Sequence, residues 1–401
     1  MKRYTKITPE GTSDLLFDEC RSLRRVEDTL SGVFESRGFR RVLTPGLEFY
    51  DIFMQNPDYI EQERMYKLSD NKGRLLVLRP DSTLPIARLV STRLRDETLP
   101  IRLYYSQNVY RLNQKMRGKS DEIVQSGIEL IGKSGIKADI EVILTAVDSL
   151  RALGVQGFKI EIGHIGFFEE LAQLLGLAEE QKERARQLME GKNYGALAQL
   201  LEGIKAPEPV KQALKLLPRA FGGAEVFDQE KSLCVSERTC EIFAYLKNMY
   251  DRLCKLGLED VLMIDLGLVH QTNYYTGVIF KGFIPGSGKT VLTGGRYDNM
   301  LREFDFDVPA TGFAIDVDII ARMLGGADGG KPADILVHSE DGFEQMGAVL
   351  IREQIAQGRV CENSLCDTPE EAVDYARRKG IARVLVVGDK LRTIDVVGET
   401  A

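Results

Sequence analysis

A chain of 401 residues, 43% hydrophobic and 28% charged, has an ordinary globular composition and length enough for two or three domains. Its formal net charge of −7 argues against a protein whose main business is gripping phosphate backbones, so no nucleic acid is expected as a partner. The six cysteines are scattered, with no CxxC pair and no histidine at ligand spacing; they read as reduced thiols, and neither metal nor cofactor is expected.

The opening residues, MKRYTKITPEGTSDLL, lack an apolar signal core, and no apolar run is long enough to span a bilayer; a cytoplasmic protein is expected. Leu23, Val26, Leu30 and Val33-Phe34 recur at helical spacing, with Ser13 as a candidate cap and Gly38 as the stop. A strand over 40–44 follows, halted by Pro45. This pattern suits a dimer contact, and equally a plain core helix. Runs at 65–68 and 75–78 flank Asp70-Asn71-Lys72-Gly73 and predict a hairpin. The second run leads into Arg79-Pro80-Asp81-Ser82-Thr83, where Ser82 or Thr83 can cap a helix over 84–94. A carboxylate and a hydroxyl at such a corner can bind an ammonium group or simply end the helix.

Alternation over 103–111 puts Leu103, Tyr105, Gln107, Val109 and Arg111 on one face of a strand. Over 123–131 it groups Ile123, Gln125, Gly127, Glu129 and Ile131, with Val124, Ser126, Ile128 and Leu130 opposite. Gly127 would leave room for a ligand between Gln125 and Glu129. A carboxylate on a central strand needs a partner, either an internal Arg or Lys or a cationic ligand. Between these strands, 113–121 is a polar loop.

A helix over 140–153 and a strand over 159–163 lead to 167–222, which reads as a helical insertion. Leu171, Leu174-Leu175 and Leu177 supply its apolar stripe and EEQKERAR a solvated face. Another helix covers 237–256. In 263–283 the period of two returns on either side of His270-Gln271-Thr272-Asn273. Two strands meeting at this corner would form the wall of a small-molecule pocket, or else a hairpin carrying surface tyrosines. Gly286-Ser287-Gly288-Lys289-Thr290 predicts a hairpin turn, because its glycine spacing and its strand-to-strand setting do not suit a phosphate loop. A helix after 309–316 ends near Gly325. Residues 326–331 form a glycine-rich linker, and 332–401 a small α/β domain with strands at 335–337, 384–387 and 394–397.

Taken together, residues 1–325 resemble the catalytic core of histidyl-tRNA synthetase, a class II aminoacyl-tRNA synthetase. Gly38-Phe39, Thr44-Pro45 and Glu48 are similar to the first class II motif, at the dimer interface. Leu78-Arg79-Pro80-Asp81-Ser82-Thr83 is similar to the family's LRPEGT, and Tyr110-Arg111 with Gln125-Ser126-Gly127-Ile128-Glu129 to the second motif. Tyr274-Tyr275-Thr276 and Gly294-Gly295-Arg296-Tyr297-Asp298 resemble histidine-specific motifs. The resemblance implies an α+β fold, a class II synthetase-like antiparallel sheet flanked by helices, in a dimer. It also implies that the tail is a shortened anticodon-binding domain.

Three departures bear on chemistry. The family reads RGLDYYTR where this chain has His270-Gln271-Thr272-Asn273-Tyr274-Tyr275-Thr276-Gly277, so the activating arginine is His270. The glutamate that contacts adenine in the family is Asn113, and the third-motif arginine falls at Ile319, beside Asp318. Phosphoryl chemistry needs cations set against the polyphosphate. Arg111 is kept, but one cation does not make a synthetase ATP site.

The amino-acid half is kept by resemblance. Asp81, Thr83 and Gln125 would take the ammonium of histidine, Glu129 and Tyr275 its imidazole, and Arg111 its carboxylate. Tyr105 and Tyr274 would wall the pocket. A histidine pocket without activation chemistry resembles the regulatory subunits of ATP phosphoribosyltransferase, as does the wording Leu266-Gly267-Leu268-Val269. The resemblance implies a non-catalytic protein that activates a short-form catalytic subunit in a hetero-octamer and transmits feedback from histidine as allosteric ligand. A divergent histidyl-tRNA synthetase or histidine-activating ligase is the alternative.

Overall fold

The computed structural model describes residues 4–54, 59–113, 120–269, 274–325 and 332–396. Helix α1 (Asp18–Ser36) forms because Val26, Leu30 and Phe34 recur every fourth residue and bury one stripe. Ser13 does not cap it; the helix starts directly after Phe17, which makes no side-chain cap. Gly38, at φ +80°, takes the left-handed turn that ends it. Strand β1 (Arg40–Arg41) is shorter than 40–44. The Val42 amide still reaches Tyr104 at 2.8 Å, but the Thr44 amide turns to the Gln107 side chain and Pro45 has no amide to offer.

Next come β2 (Leu47–Phe49), a short α2 (Asp51–Met54), β3 (Lys67–Ser69) and β4 (Leu75–Leu78), forming a sheet in the order β2-β4-β3. The β3–β4 turn closes as expected, with the Gly73 amide donating to Asp70 at 3.1 Å. Register sets Leu47, Phe49 and Leu68 on an outer face left exposed, while Glu48 and Val77 turn inward.

Helix α3 (Thr83–Arg93) is capped by neither Ser82 nor Thr83. The Asp81 carboxylate accepts the amides of Thr83 at 2.8 Å and Leu84 at 3.2 Å, so the loop's acid holds the helix start.

Strands β5 (Ile101–Tyr110) and β6 (Glu122–Ile131) pair antiparallel along their full length. Helix α4 (Ile136–Ala152) and β7 (Lys159–His164) follow, then α5 (Ile165–Leu174), α6 (Glu179–Glu190), α7 (Tyr194–Glu202) and α8 (Glu208–Leu216). In that helical segment Leu171 and Leu175 are buried but Leu174 faces solvent, because α5 turns it away from the stripe. After β8 (Phe221–Gly222), α9 (Glu230–Leu233) and α10 (Glu237–Lys255) come β9 (Leu262–Asp265), β10 (Val278–Phe283), β11 (Thr290–Arg296), β12 (Ala310–Asp316) and α11 (Val317–Leu324). The resulting nine-stranded sheet has the order β1-β5-β6-β12-β11-β10-β7-β9-β8.

That order corrects the reading of 263–283. Strands β9 and β10 do not meet, because β7 lies between them, parallel to β9 and antiparallel to β10. β9 stops where the Leu268 amide folds back to Asp265 at 3.2 Å. The β10–β11 connection is the expected hairpin turn, with Gly286 at φ +84° and Gly288 at φ +59°.

The sheet's two faces carry separate cores. Tyr104, Ile128 and Phe313 pack under α1, α4 and α11; Leu103, Tyr105, Ile131 and Ile279 pack with Leu84, Ile86 and Val90 of α3. The chain forms two compact units, Met1–Gly325 and Gly326–Ala401. In the second unit β13 (Ile335–Ser339), α12 (Glu344–Ala356), β14 (Cys361–Asn363), α13 (Pro369–Lys379), β15 (Arg383–Val387) and β16 (Arg392–Asp395) give a sheet ordered β14-β13-β15-β16. Strand β14 has no counterpart among the expected elements; at three residues it carries too short a pattern to stand out. Among the described residues no helix is long and apolar enough to cross a membrane.

Arg79 ties these parts together. Only 4% exposed, it donates to the carbonyls of Thr44 at 2.6 Å, Pro45 at 2.9 Å and Asn108 at 2.6 Å. Arg79→Met leaves three backbone carbonyls without this donor, of which that of Thr44 is buried, and should cost roughly 1–3 kcal/mol, read as a lowered denaturation midpoint at pH 7.

Candidate functional site

A cavity of about 340 Å³ opens over β5, β6 and β12 on the α3 face of the sheet. Asp81, Thr83, Tyr105, Arg111, Gln125, Glu129, Tyr274 and Tyr275 all line it. They come from a helix start, two strands and the chain leading into β10, and alternation along β5 and β6 turns the right side chains inward. Gly127 does not leave space for a ligand as expected. A Cβ there would collide with the Phe313 carbonyl and lie 2.8 Å from the Tyr105 hydroxyl, so the gap holds Tyr105.

Glu129 sits on the floor, 3% exposed, and accepts a hydrogen bond from the Tyr297 hydroxyl. The missing side chain of Gly312 makes room for its carboxylate, since a Cβ there would strike Glu129. Burial pushes the Glu129 carboxyl up to about 8, and the nearby Asp81 charge adds to this; bonds from Tyr297 and Thr83 oppose it. Thr83 is thus engaged with Glu129 rather than with its own helix end. Asp81 has one oxygen committed to the α3 cap, and its other oxygen lies 3.6 Å from an Arg111 nitrogen. Arg111 also donates to the Pro80 carbonyl at 2.6 Å.

The wall is a cluster of tyrosines. Tyr274 lies 4.4 Å from Tyr275 between ring centroids, 5.9 Å from Tyr297 and 5.5 Å from Tyr59. Burial raises the phenols of Tyr105, Tyr274 and Tyr297 well above their ordinary value, so they stay protonated donors at neutral pH. Tyr59 and Tyr297 are cavity residues that sequence reasoning did not assign. Tyr297 carried a signal, because it belongs to the Gly294-Gly295-Arg296-Tyr297-Asp298 motif; Tyr59 carried none.

Arg64 is the larger omission. It closes a 3-10 turn over Gln62–Arg64 and lines the cavity together with Arg111, so among the described residues the cavity holds two guanidinium groups, not one. No periodic pattern marks such a turn.

The positions that depart from the synthetases are structurally absorbed. The Asn113 side chain and amide both donate to Asp121, at 2.9 and 3.0 Å, and so tie a loop. Ile319 packs against the core under the sheet. The Asp318 carboxylate accepts the Val124 amide at 2.6 Å, and Asp316 caps α11 through the Ile319 amide. His270 lies outside the described residues.

A model of the histidyl-tRNA synthetase family matches residues 11–320. An ATP phosphoribosyltransferase regulatory subunit of Clostridium kluyveri is 40% identical over 389 residues, covering 95% of this chain and 99% of that one. One from Clostridium botulinum is 39% identical over 386 residues, covering 95% and 92%. The chain belongs to the family of ATP phosphoribosyltransferase regulatory subunits. A Bacillus halodurans crystal structure, titled as such a regulatory subunit/histidyl-tRNA synthetase, superposes with a TM-score of 0.84 at 29% identity, over 93% of this chain and 97% of that one. Histidyl-tRNA synthetase from Nostoc gives a TM-score of 0.79 at 20% identity, covering 98% and 97%, and shows the shared class II fold.

For this member of the regulatory-subunit family, Glu129 makes stability depend on pH. Its folded pKa lies above its ordinary value, so the folded state binds the extra proton between about 4.5 and 8 and stability falls as pH rises through that window. Glu129→Gln should flatten the profile, gaining on the order of a few kcal/mol over the parent at pH 8 and little at pH 5. Denaturation midpoints at the two pH values check this.

Proposed function

We propose that the chain binds free histidine in the tyrosine-walled cavity and reports its presence to a short-form ATP phosphoribosyltransferase catalytic subunit, which it activates within a hetero-octamer. The observation that carries this reading is a contrast inside one domain. The side chains suited to an imidazole amino acid converge on one cavity, while Asn113 and Ile319, at former nucleotide positions, are committed to a loop and to the core.

In this reading Glu129 and Tyr275 meet the imidazole, and Tyr105 and Tyr274 flank it. Gln125 and the Asp81 oxygen that faces Arg111 take the ammonium group. Thr83 acts at second hand by steadying Glu129, and Arg111 faces the carboxylate. The ligand brings positive charge to a floor that is costly to ionise alone, which supports tight recognition. Histidine that binds two states of the assembly unequally must shift the balance between them, and the catalytic partner must alter histidine affinity by the same factor. The exposed apolar face of Leu47, Phe49 and Leu68 supports self-association as a dimer.

Purified chain should take up histidine by calorimetry, and Glu129→Ala should weaken this about tenfold or more, the cost of a charged hydrogen bond. Mixed with the short catalytic subunit, it should co-elute on size exclusion and confer histidine-sensitive phosphoribosyl transfer. Histidine-dependent exchange between ATP and pyrophosphate would instead establish a ligase. In sedimentation, a Leu47→Glu, Phe49→Glu variant should run as a monomer where the parent runs as a dimer.

A further inference from the structure

The cavity gathers its two described guanidinium groups towards one end, and Glu61, Asp81 and Asp316 also line it. Glu129 and its tyrosines occupy one end of the β5–β6 pair, where Glu129 stands opposite Leu103. Towards the other end, beyond the Tyr110–Glu122 pair, the chain continues into Arg111, and the Leu112 amide donates to the Arg64 carbonyl at 2.9 Å. That backbone bond sets Arg64 beside Arg111. The turn is braced on both sides: Tyr50 donates to Gln62 at 2.8 Å, and Tyr66 donates to Asp121 at 2.6 Å. Arg64 is therefore placed by the fold and is not a wandering surface residue.

Its guanidinium nonetheless has no hydrogen bond and no ion pair with any other described residue. It is half-buried, and burial followed by the charge of Arg111 lowers its pKa, with Glu61 on the same turn opposing them. Arg111 is differently situated, with Pro80 and Asp81 already engaging it. A fork of five donors, partly stripped of water and held next to a like charge, is a costly arrangement unless an anion completes it. Carboxylate and phosphate are the anions that match this fork. The cavity has no third guanidinium for a polyphosphate among the described residues, and its far end offers Glu129 and tyrosine hydroxyls as hydrogen-bonding partners for a ring.

We propose that Arg64, with Arg111, receives the α-carboxylate of the amino acid ligand, so that the cation lost where His270 stands is supplied from a different segment. This rests on the histidine reading above and adds a specificity-determining residue to it. Arg64 holds the acid end of the ligand while Glu129 holds the ring, and the ligand is gauged by the spacing between them.

Calorimetry on the full chain with L-histidine and with L-histidinol, whose hydroxymethyl group replaces the carboxylate, tests this. The parent should prefer histidine by about tenfold or more. Arg64→Gln should lower histidine affinity about tenfold while leaving histidinol within about twofold, and Arg64→Lys should fall between. Should Arg64→Gln fail to fold, Arg64→Lys is decisive on its own: a fall of several-fold for histidine with none for histidinol supports the assignment, and no change overturns it. Equal losses for both ligands, or for neither, also overturn it. If the parent itself takes up no histidine, the proposed function falls too, whereas a histidine-binding parent with an indifferent Arg64→Gln removes Arg64 alone.

Discussion

A carboxyl group at the bottom of a cavity, without a cation of its own, is the constraint around which the first unit is arranged. Glu129 could be placed there only if its neighbours yielded space and donors. Gly312 on the adjacent strand supplies the space, and Tyr297 and Thr83 supply the donors. Thr83 is free to turn inward because Asp81 caps α3 in its place. One buried group thus fixes the choice of residue on β12, at the end of β11 and at the start of α3. These bonds do not neutralise the carboxyl group; burial still dominates and holds it protonated near neutrality.

The same frame accommodates the residues that depart from the synthetase pattern. At those positions no rebuilding of the sheet is required. Asn113 becomes a loop tie with Asp121, Ile319 joins the core, and Asp318 turns its charge to the Val124 amide. Each replacement satisfies a local demand for packing or hydrogen bonding, so none leaves an open polar group in its place. Catalytic residues tolerate little displacement, whereas the scaffold holding them tolerates a great deal.

What was legible in the chain follows the reach of each physical signal. Strand alternation is a local rule with a period of two, and it assigned Gln125 and Glu129 to one face and Val124, Ile128 and Leu130 to the other, as β6 has them. Turn chemistry gave the β3–β4 and β10–β11 connections for the same reason. Strand order is not local. Nothing in residues 263–283 says that β7 will insert between β9 and β10, because that depends on a partner about a hundred residues away. The Asp81 cap was missed because Asp, Ser and Thr are chemically equivalent there until the backbone picks one. Arg64 escaped because a single 3-10 turn has no repeat from which to read a direction.

Under the proposed function, the two polar ends of the cavity would suit regulation better than catalysis. A catalytic pocket is organised to hold a transition state better than its substrate, which requires cations where charge develops. A sensing pocket needs the opposite economy: a ligand that completes charges already in place, so that occupied and empty states differ strongly in free energy. In the proposed function, Glu129 at one end of the cavity and Arg64 at the other would meet the two ends of one zwitterion. On that proposal, binding energy drawn from both ends would be available to bias an assembly between two states, provided the two states hold those ends at different separations. On that proposal, the residues that depart from the synthetase pattern and the polar ends of the cavity would serve one purpose, the use of ligand binding for conformation instead of reaction.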